Sequence, residues 1–402
     1  MGTAETIAIE DAYMPRFWDR IPISIERGEG DYVWDEEGVR YLDLTSGWGV
    51  TSIGHAHPVI QAALAEQGSR LLQNTNSSLT YSPARARLLS LLFGILPANL
   101  TRAAFLNSGS EANDTAIKLA RKITGRTVVI STNGSFHGRT IATVSATGQA
   151  QHRDRFAWLM PGHRFVPFDD LAAVEDGLDE NVAAVIVEPI QGEGGVNVPS
   201  ADYLGGLSRL CRANGTLLIV DEIQTGFCRT GPMFAIAATD AEADFLVMGK
   251  GIAGGFPLAG FAMTEEVASR LEMGDHGGTY CGNPLACAVA HAVVSYLIDN
   301  DVSAHAAEMG ELALGEMRGW QQAHPDIIKD VRGRGLLLLV ELGDAATAAR
   351  IADECLSRHV FVRQTQGTGI RVFPSVIVER DVLMEGLGTL GDAIRVAAHQ
   401  DI

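Results

Sequence analysis

The chain has 402 residues, 31 Lys and Arg against 49 Asp and Glu, and a formal net charge of -18. That balance argues against an electrostatic nucleic-acid binder, which needs a basic surplus to displace counterions from phosphates, and against anionic membrane surfaces. With 46% hydrophobic and 20% charged residues the chain can bury a large core, and its length suits one large domain with a companion or two to three domains.

The N-terminal MGTAETIAIEDAYMPRF is acidic and lacks a long apolar run, so it does not read as a secretory leader. Residues 31–47, DYVWDEEGVRYLDLTSG, place a Glu-Glu-Gly turn between two strand-like runs and predict a β-hairpin. Residues 107–122, NSGSEANDTAIKLARK, run from a polar turn into a helix whose apolar stripe is Ala112, Thr115, Ala116, Leu119 and Ala120. Residues 127–131, 183–189, 216–223 and 245–248 are short, nearly continuous apolar runs, as expected of parallel strands covered on both faces. Residues 203–213 read as a helix between two of them, completing a βαβ rhythm. From about residue 301 the pattern changes. A long helix leads to one strand candidate at 331–342, then a helix at 345–358, short strands near Val360 and Arg371, and a last helix from about Arg380. This predicts a smaller α+β domain. The longest apolar run, near residues 336–340, is far below the ~20 residues of a membrane span. Five scattered cysteines without a C-x-x-C pair fit a reducing, cytoplasmic setting and read poorly as a metal or disulfide site.

The chain has only four lysines: Lys118, Lys122, Lys250 and Lys329. Lys118 and Lys122 lie off the apolar stripe of their helix, and Lys329 sits in a polar connection. Lys250 follows an apolar strand in FLVMGKGIAGGFPLAG, among glycines that permit close approach of a ligand. Desolvation there lowers an amine's pKa, as covalent work requires. Asp221 ends another apolar strand, at the edge where α/β proteins place ligands; it suits a protonated ring nitrogen, a metal or an ordinary helix cap. Ser108, Gly109 and Ser110 open a helix, where free N–H groups favour a phosphate, although a simple N-cap with Glu111 or Asp114 reads the same way. Together the three segments meet the needs of pyridoxal 5'-phosphate, whereas no G-x-x-x-x-G-K-[ST] supports a nucleotide site.

With its motifs in order, namely NSGSEAN, SFHGRT, EPIQGEGGV, VDEIQTGFCRTG, MGKGIAGGFPLAG and GGTYCGNPLACAVA, the sequence resembles the class III aminotransferases of fold type I, nearest the acetylornithine and ornithine group. The resemblance implies a large domain at 48–297 with a mostly parallel seven-stranded sheet and helices on both faces. A small domain at 298–402 would pack with the N-terminal segment 1–47. It implies Lys250 as the Schiff-base lysine and proton carrier, and Asp221 as partner of the pyridine nitrogen. Gln224 would lie near the ring hydroxyl, Ile223 and Phe136 on the two ring faces, and Gly109 and Ser110 on the phosphate. Thr279 would reach the phosphate of a partner subunit, so a homodimer with sites at its interface is expected, and no metal.

For the substrates, the resemblance implies that Arg139 binds a carboxylate of the donor and that Arg371 pairs with Glu193 until a dicarboxylate such as 2-oxoglutarate separates them. Trp48 and Trp18 depart from the family pattern, and two indoles would narrow the distal pocket. The expected reaction is amino transfer from an acetylornithine- or ornithine-like donor to 2-oxoglutarate in two half-reactions. An omega-aminotransferase acting on 4-aminobutyrate or simple amines, with pyruvate or 2-oxoglutarate, and an aminomutase are the alternatives.

Overall fold

The computed structural model describes residues 2–75 and 79–400. After a helix over Thr3–Tyr13 come strands β1 (Ile25–Glu29), β2 (Tyr32–Asp35) and β3 (Arg40–Asp43), paired antiparallel. The predicted hairpin is thus β2–β3, with Glu36 to Gly38 at its turn.

The central sheet contains β4 (Leu100–Leu106), β5 (Val128–Thr132), β6 (His163–Val166), β7 (Val182–Val187), β8 (Leu217–Asp221), β9 (Phe245–Met248) and β10 (Ala259–Thr264). Their order is β4-β10-β9-β8-β7-β5-β6. All neighbours from β9 to β6 pair parallel, and β10 runs antiparallel to both β9 and β4. The predicted strands therefore appear as β5, β7, β8 and β9, with ends within two residues of expectation. Alternate side chains of each strand enter opposite cores, as the pleat requires. Val185, Val187, Leu218, Val220, Leu246 and Met248 join one core; Ala184, Ile186, Ile219, Phe245 and Val247 join the other. The second core is closed by the helix Gly109–Thr124 through Ala112, Ala116, Leu119 and Ala120, the stripe read from the sequence. Both faces of the sheet are covered, which is why its strands need no polar alternation.

Helices Pro284–Asp299 and Val302–Ala323 lead into β11 (Ile328–Arg334) and β12 (Leu337–Leu342). The single strand expected at 331–342 is in fact a hairpin. Gly335, at φ +54°, turns the chain, and a Cβ there would lie 2.5 Å from the Thr230 carbonyl carbon. A helix at Ala345–Ser357, strands β13 (Val360–Phe361), β14 (Arg363–Thr365) and β15 (Gly369–Val372), and the helix Arg380–Gln400 complete the chain. β11-β12-β15-β14 form an antiparallel sheet, while β13 pairs parallel with β3. The N-terminal sheet is thus completed by a strand from near the other end of the chain. Among the described residues no single helix is long and apolar enough to cross a membrane.

Candidate active site

The carboxyl ends of β7, β8 and β9 face a cavity of about 220 Å³, and most of the residues singled out in the sequence line it. Lys250 follows β9 at the start of a short 3-10 turn, Lys250–Ala253, with φ +43°. A non-glycine residue in that region is strained, and such strain is stored at sites where the surroundings over-determine the backbone. Burial, opposed by Glu193 and aided by Arg371, holds the Lys250 ammonium below the usual lysine range. The other three lysines are engaged elsewhere: Lys118 donates to the Asp275 carbonyl at 2.8 Å, Lys122 pairs with Glu272 and Asp275, and Lys329 donates to the Asp326 carbonyl at 2.6 Å.

Asp221, the last residue of β8, is buried and accepts three hydrogen bonds. His137 Nδ1 lies 2.8 Å and Asn113 Nδ2 2.7 Å from one oxygen, and the Ile223 N–H 3.0 Å from the other. A carboxylate can only accept, so His137 carries its proton on Nδ1. Three donors from separate elements fix the orientation of this carboxyl at the end of β8. Ser108 caps the Gly109–Thr124 helix in a full capping box with Glu111. The cap leaves this end open to the cavity: first-turn N–H groups have no acceptor within the helix, and Ser108, Gly109 and Ser110 line the cavity. Close packing forms this end: a Cβ on Gly109 would sit 2.6 Å from Ile223 Cδ1, and one on Gly138 2.1 Å from Ser110 Oγ. Ile223 and Phe136 both line the cavity.

At its other side Arg371, fully buried on β15, donates to Glu193 at 2.7 Å. Gln224 donates to the same Glu193 oxygen at 3.1 Å. Burial pushes the Glu193 carboxyl up, but Arg371 and Lys250 outweigh it and hold it below the usual range. Arg371 Nε and Nη2 are buried and have no hydrogen-bond partner among the described residues, a costly state that an incoming acceptor would relieve. Trp48 stands over this end, its ring centroid 5.8 Å from the Arg371 guanidinium carbon. Arg139 donates its N–H to Ser110 Oγ at 3.0 Å, and its guanidinium carbon lies 5.7 Å from the Phe136 ring centroid. Among the described residues it forms no ion pair.

Two expected site residues lie apart. Thr279 is exposed, outside the cavity wall, with its carbonyl accepting from Gln73. Trp18 packs edge-on against Phe17 and lines a separate depression formed by the N-terminal segment. Among the described residues no cluster of His, Cys, Asp and Glu could hold a metal ion.

Three residues here were not singled out in the sequence. His137 and Asn113 hold Asp221 from different elements, a contact that no local pattern announces. Glu188 follows β7 as Asp221 ends β8, so the same signal, an acid closing an apolar strand, could have found it. Its two oxygens accept the N–H groups of Phe136 at 2.9 Å and Gly192 at 3.0 Å. Burial, with Asp221 adding and His137 opposing, pushes its carboxyl up to about 7.

The profile of the family "Aminotransferase class-III" matches residues 13–394. The acetylornithine aminotransferase of Methanothermobacter thermautotrophicus is 40% identical, covering 98% of this chain and 99% of its own; that of Methanopyrus kandleri is 42% identical, covering 96% and 98%. An ornithine aminotransferase structure from Toxoplasma gondii, described with partial occupancy of PLP at its active site, superimposes with a TM-score of 0.94 at 31% identity, covering 99% of this chain and 95% of that one. With the seven-stranded sheet and the cavity at its carboxyl edge, these matches establish that the chain belongs to the class III aminotransferases, enzymes of fold type I.

Proposed function

We propose that this aminotransferase holds pyridoxal 5'-phosphate on Lys250 and transfers an amino group from a carboxylate-bearing donor of the acetylornithine or ornithine type to 2-oxoglutarate, in two alternating half-reactions. The observation that carries the reading is one cavity lined by a desolvated lysine, a thrice-bonded carboxylate, a helix start and Glu193, the partner of the buried Arg371. The donor set fits the cofactor: Gly109 and Ser110 suit its phosphate, Asp221 its ring nitrogen, and Phe136 with Ile223 the two faces of a flat ring, with Gln224 beside its hydroxyl. Bound there, the cofactor supplies an aldehyde for amines and a sink for the electrons left at the substrate Cα.

The chain's own residues then divide the work. Lys250 Nζ, held below the usual lysine range by burial, is the group in the cavity suited to accept the proton from the substrate Cα. Asp221 keeps a proton on the ring nitrogen, with His137 and Asn113 fixing its orientation. Arg139, which has no ion-pair partner among the described residues, grips one substrate carboxylate by two parallel hydrogen bonds. Arg371 stays with Glu193 while a donor with a distal amine is bound and takes the second carboxylate of 2-oxoglutarate in the other half-reaction. An aminomutase has no use for that exchange, which favours the transaminase reading. Trp48 beside Arg371 narrows the same end.

The reading extends to assembly. Thr279, outside the cavity of its own chain, suits a residue donated to a partner's phosphate site, so the active unit is a homodimer with sites at the interface. The β3–β13 pairing supports an N-terminal segment of 1–47 packed on a small domain of 298–402, with 48–297 as the cofactor domain. Five free cysteines suit the reducing cytoplasm.

Purified holoenzyme should lose its visible cofactor absorbance on addition of N-acetylornithine or ornithine and regain it with 2-oxoglutarate, releasing glutamate. Lys250→Ala should abolish both that absorbance and turnover. An active Lys250→Ala enzyme defeats the reading.

A further inference from the structure

Arg371 has a neighbour of its own sign. In the β14–β15 pair Arg363 stands directly opposite Arg371. Side chains directly opposite share one face of the sheet, and like charges there repel. Both guanidinium groups converge on one ring: the Arg363 carbon lies 4.5 Å from the Trp48 centroid and the Arg371 carbon 5.8 Å. The indole faces offset part of the repulsion. Trp48 takes this position with φ +70°, an unfavourable backbone for a bulky residue.

The charges at this end do not balance. Two arginines share one carboxylate, Glu193, which pairs with Arg371 and, among the described residues, not with Arg363. Among the described residues Arg363 has neither an ion pair nor a hydrogen bond. Its side chain is exposed at the edge of the sheet yet feels both charges: desolvation of its inner part and Arg371 push its pKa down, and Glu193 pulls it up. One more carboxylate would complete two ion pairs from four charges.

We propose that Arg363 is a specificity-determining residue, receiving the Glu193 carboxylate when a substrate carboxylate occupies Arg371, and so admitting dicarboxylates to a pocket that otherwise takes a distal amine. This rests on the Arg371–Glu193 exchange of the proposed function and adds where the displaced glutamate goes. Without a receiving cation, the substrate carboxylate would have to drive Glu193 out of a partly buried ion pair with nothing to offset its charge. With Arg363 beside Arg371, the exchange replaces one pair by two. Arg363 acts through Glu193 and touches neither the cofactor nor the reacting carbon.

The test measures the two half-reactions of the holoenzyme separately. Arg363→Gln should raise the KM for 2-oxoglutarate by about 5- to 20-fold, the lower part of the range of typical coupling energies. Its kcat, and the KM of the amine donor, should move less than about 2-fold. Arg363→Lys keeps the charge and should recover most of the loss. The decisive arm is Glu193→Gln combined with Arg363→Gln. Once Glu193 is neutral there is no charge to receive, so the second substitution should add nothing. Additive effects, or equal changes in both half-reactions, overturn the proposal. If the unmodified enzyme makes no glutamate from 2-oxoglutarate, or Arg371→Ala harms both half-reactions alike, the underlying function fails and this inference with it. A fault in Arg363 alone leaves those two controls intact.

Discussion

Asp221, Glu188 and Glu222 crowd the carboxyl ends of β7 and β8, and hydrogen-bond donors sort them into different jobs. Asp221 has three donors, one from a histidine, and is held facing the cavity. Glu222, beside it, turns away into the apolar interior, where it accepts from the Ile236 N–H at 2.7 Å and the Thr225 hydroxyl at 2.5 Å. Burial, aided by the Asp221 charge, pushes its carboxyl from 4.5 to about 7. The sign follows from linkage. Between those two values the unfolded chain loses the proton and the folded chain keeps it, so stability falls as pH rises from about 4.5 to 7 and levels off above. Glu222→Gln retains an acceptor for Ile236 and an N–H for Thr225 but cannot ionise. Urea unfolding between pH 5 and 7.5 should therefore show a shallower loss of stability in Glu222→Gln, by up to about 3 kcal/mol. Parallel pH slopes for the two proteins would refute this role. Glu188 shares the shift but binds two backbone N–H groups, so its glutamine variant loses one acceptor and is the less clean probe.

At the scale of elements, the helix start that we propose for the cofactor phosphate depends on the approach of the segment after β5 to the Gly109–Thr124 helix. Gly138 has φ +136°, and any Cβ would meet Ser110 Oγ at 2.1 Å and Thr143 Oγ1 at 2.8 Å. Gly138→Ala should therefore displace Ser110 from the first helical turn, at an overpacking cost of about 1–3 kcal/mol. Dialysis of the holoenzyme should show a dissociation constant for pyridoxal 5'-phosphate raised at least about 10-fold, equivalent to 1.4 kcal/mol. Retention equal to the parent would count against the cradle. β5, β7, β8 and β9 were legible because both their faces are buried and their apolar runs are continuous. Lys250 and Asp221 were legible because each stands where such a run ends. The β11–β12 turn was not, because LLLLVEL after Gly335 continues an apolar run, and the turn is imposed by packing against Thr230. The bonds from His137 and Asn113 to Asp221 were hidden likewise, since they cross between elements 84 and 108 residues from it. Trp48 was read as a departure in the pocket and stands beside Arg371, whereas the positive charge opposite Arg371 comes from a register that only the sheet reveals.

At the scale of the whole molecule, the acidic surface would slow a dianionic acceptor, so attraction must come from arginines held at the site. Their placement depends on how the C-terminal sheet is fastened to the central one. Arg229, in the loop after β8, is buried, and its Nη1 donates to the carbonyls of Leu336 at 2.9 Å and Pro374 at 2.6 Å, while its own carbonyl accepts the Leu336 N–H at 2.9 Å. One contact thus holds the β11–β12 turn and the segment just after β15, three residues beyond Arg371. Burial, with Arg371 adding, pushes the Arg229 guanidinium down to about 10, still charged at neutral pH. Arg229→Met fills similar space but leaves both carbonyls unpaired, each costing about 1–3 kcal/mol. It should lower the urea midpoint by a corresponding amount. It should also raise the KM for 2-oxoglutarate more than that for the amine donor, because the strand it releases carries Arg371 and its neighbour opposite. A large loss of stability with both constants unchanged would mean that the clamp secures the fold without aiming the arginines. Unchanged stability would mean that the two carbonyls find other donors and that Arg229 is not the fastening.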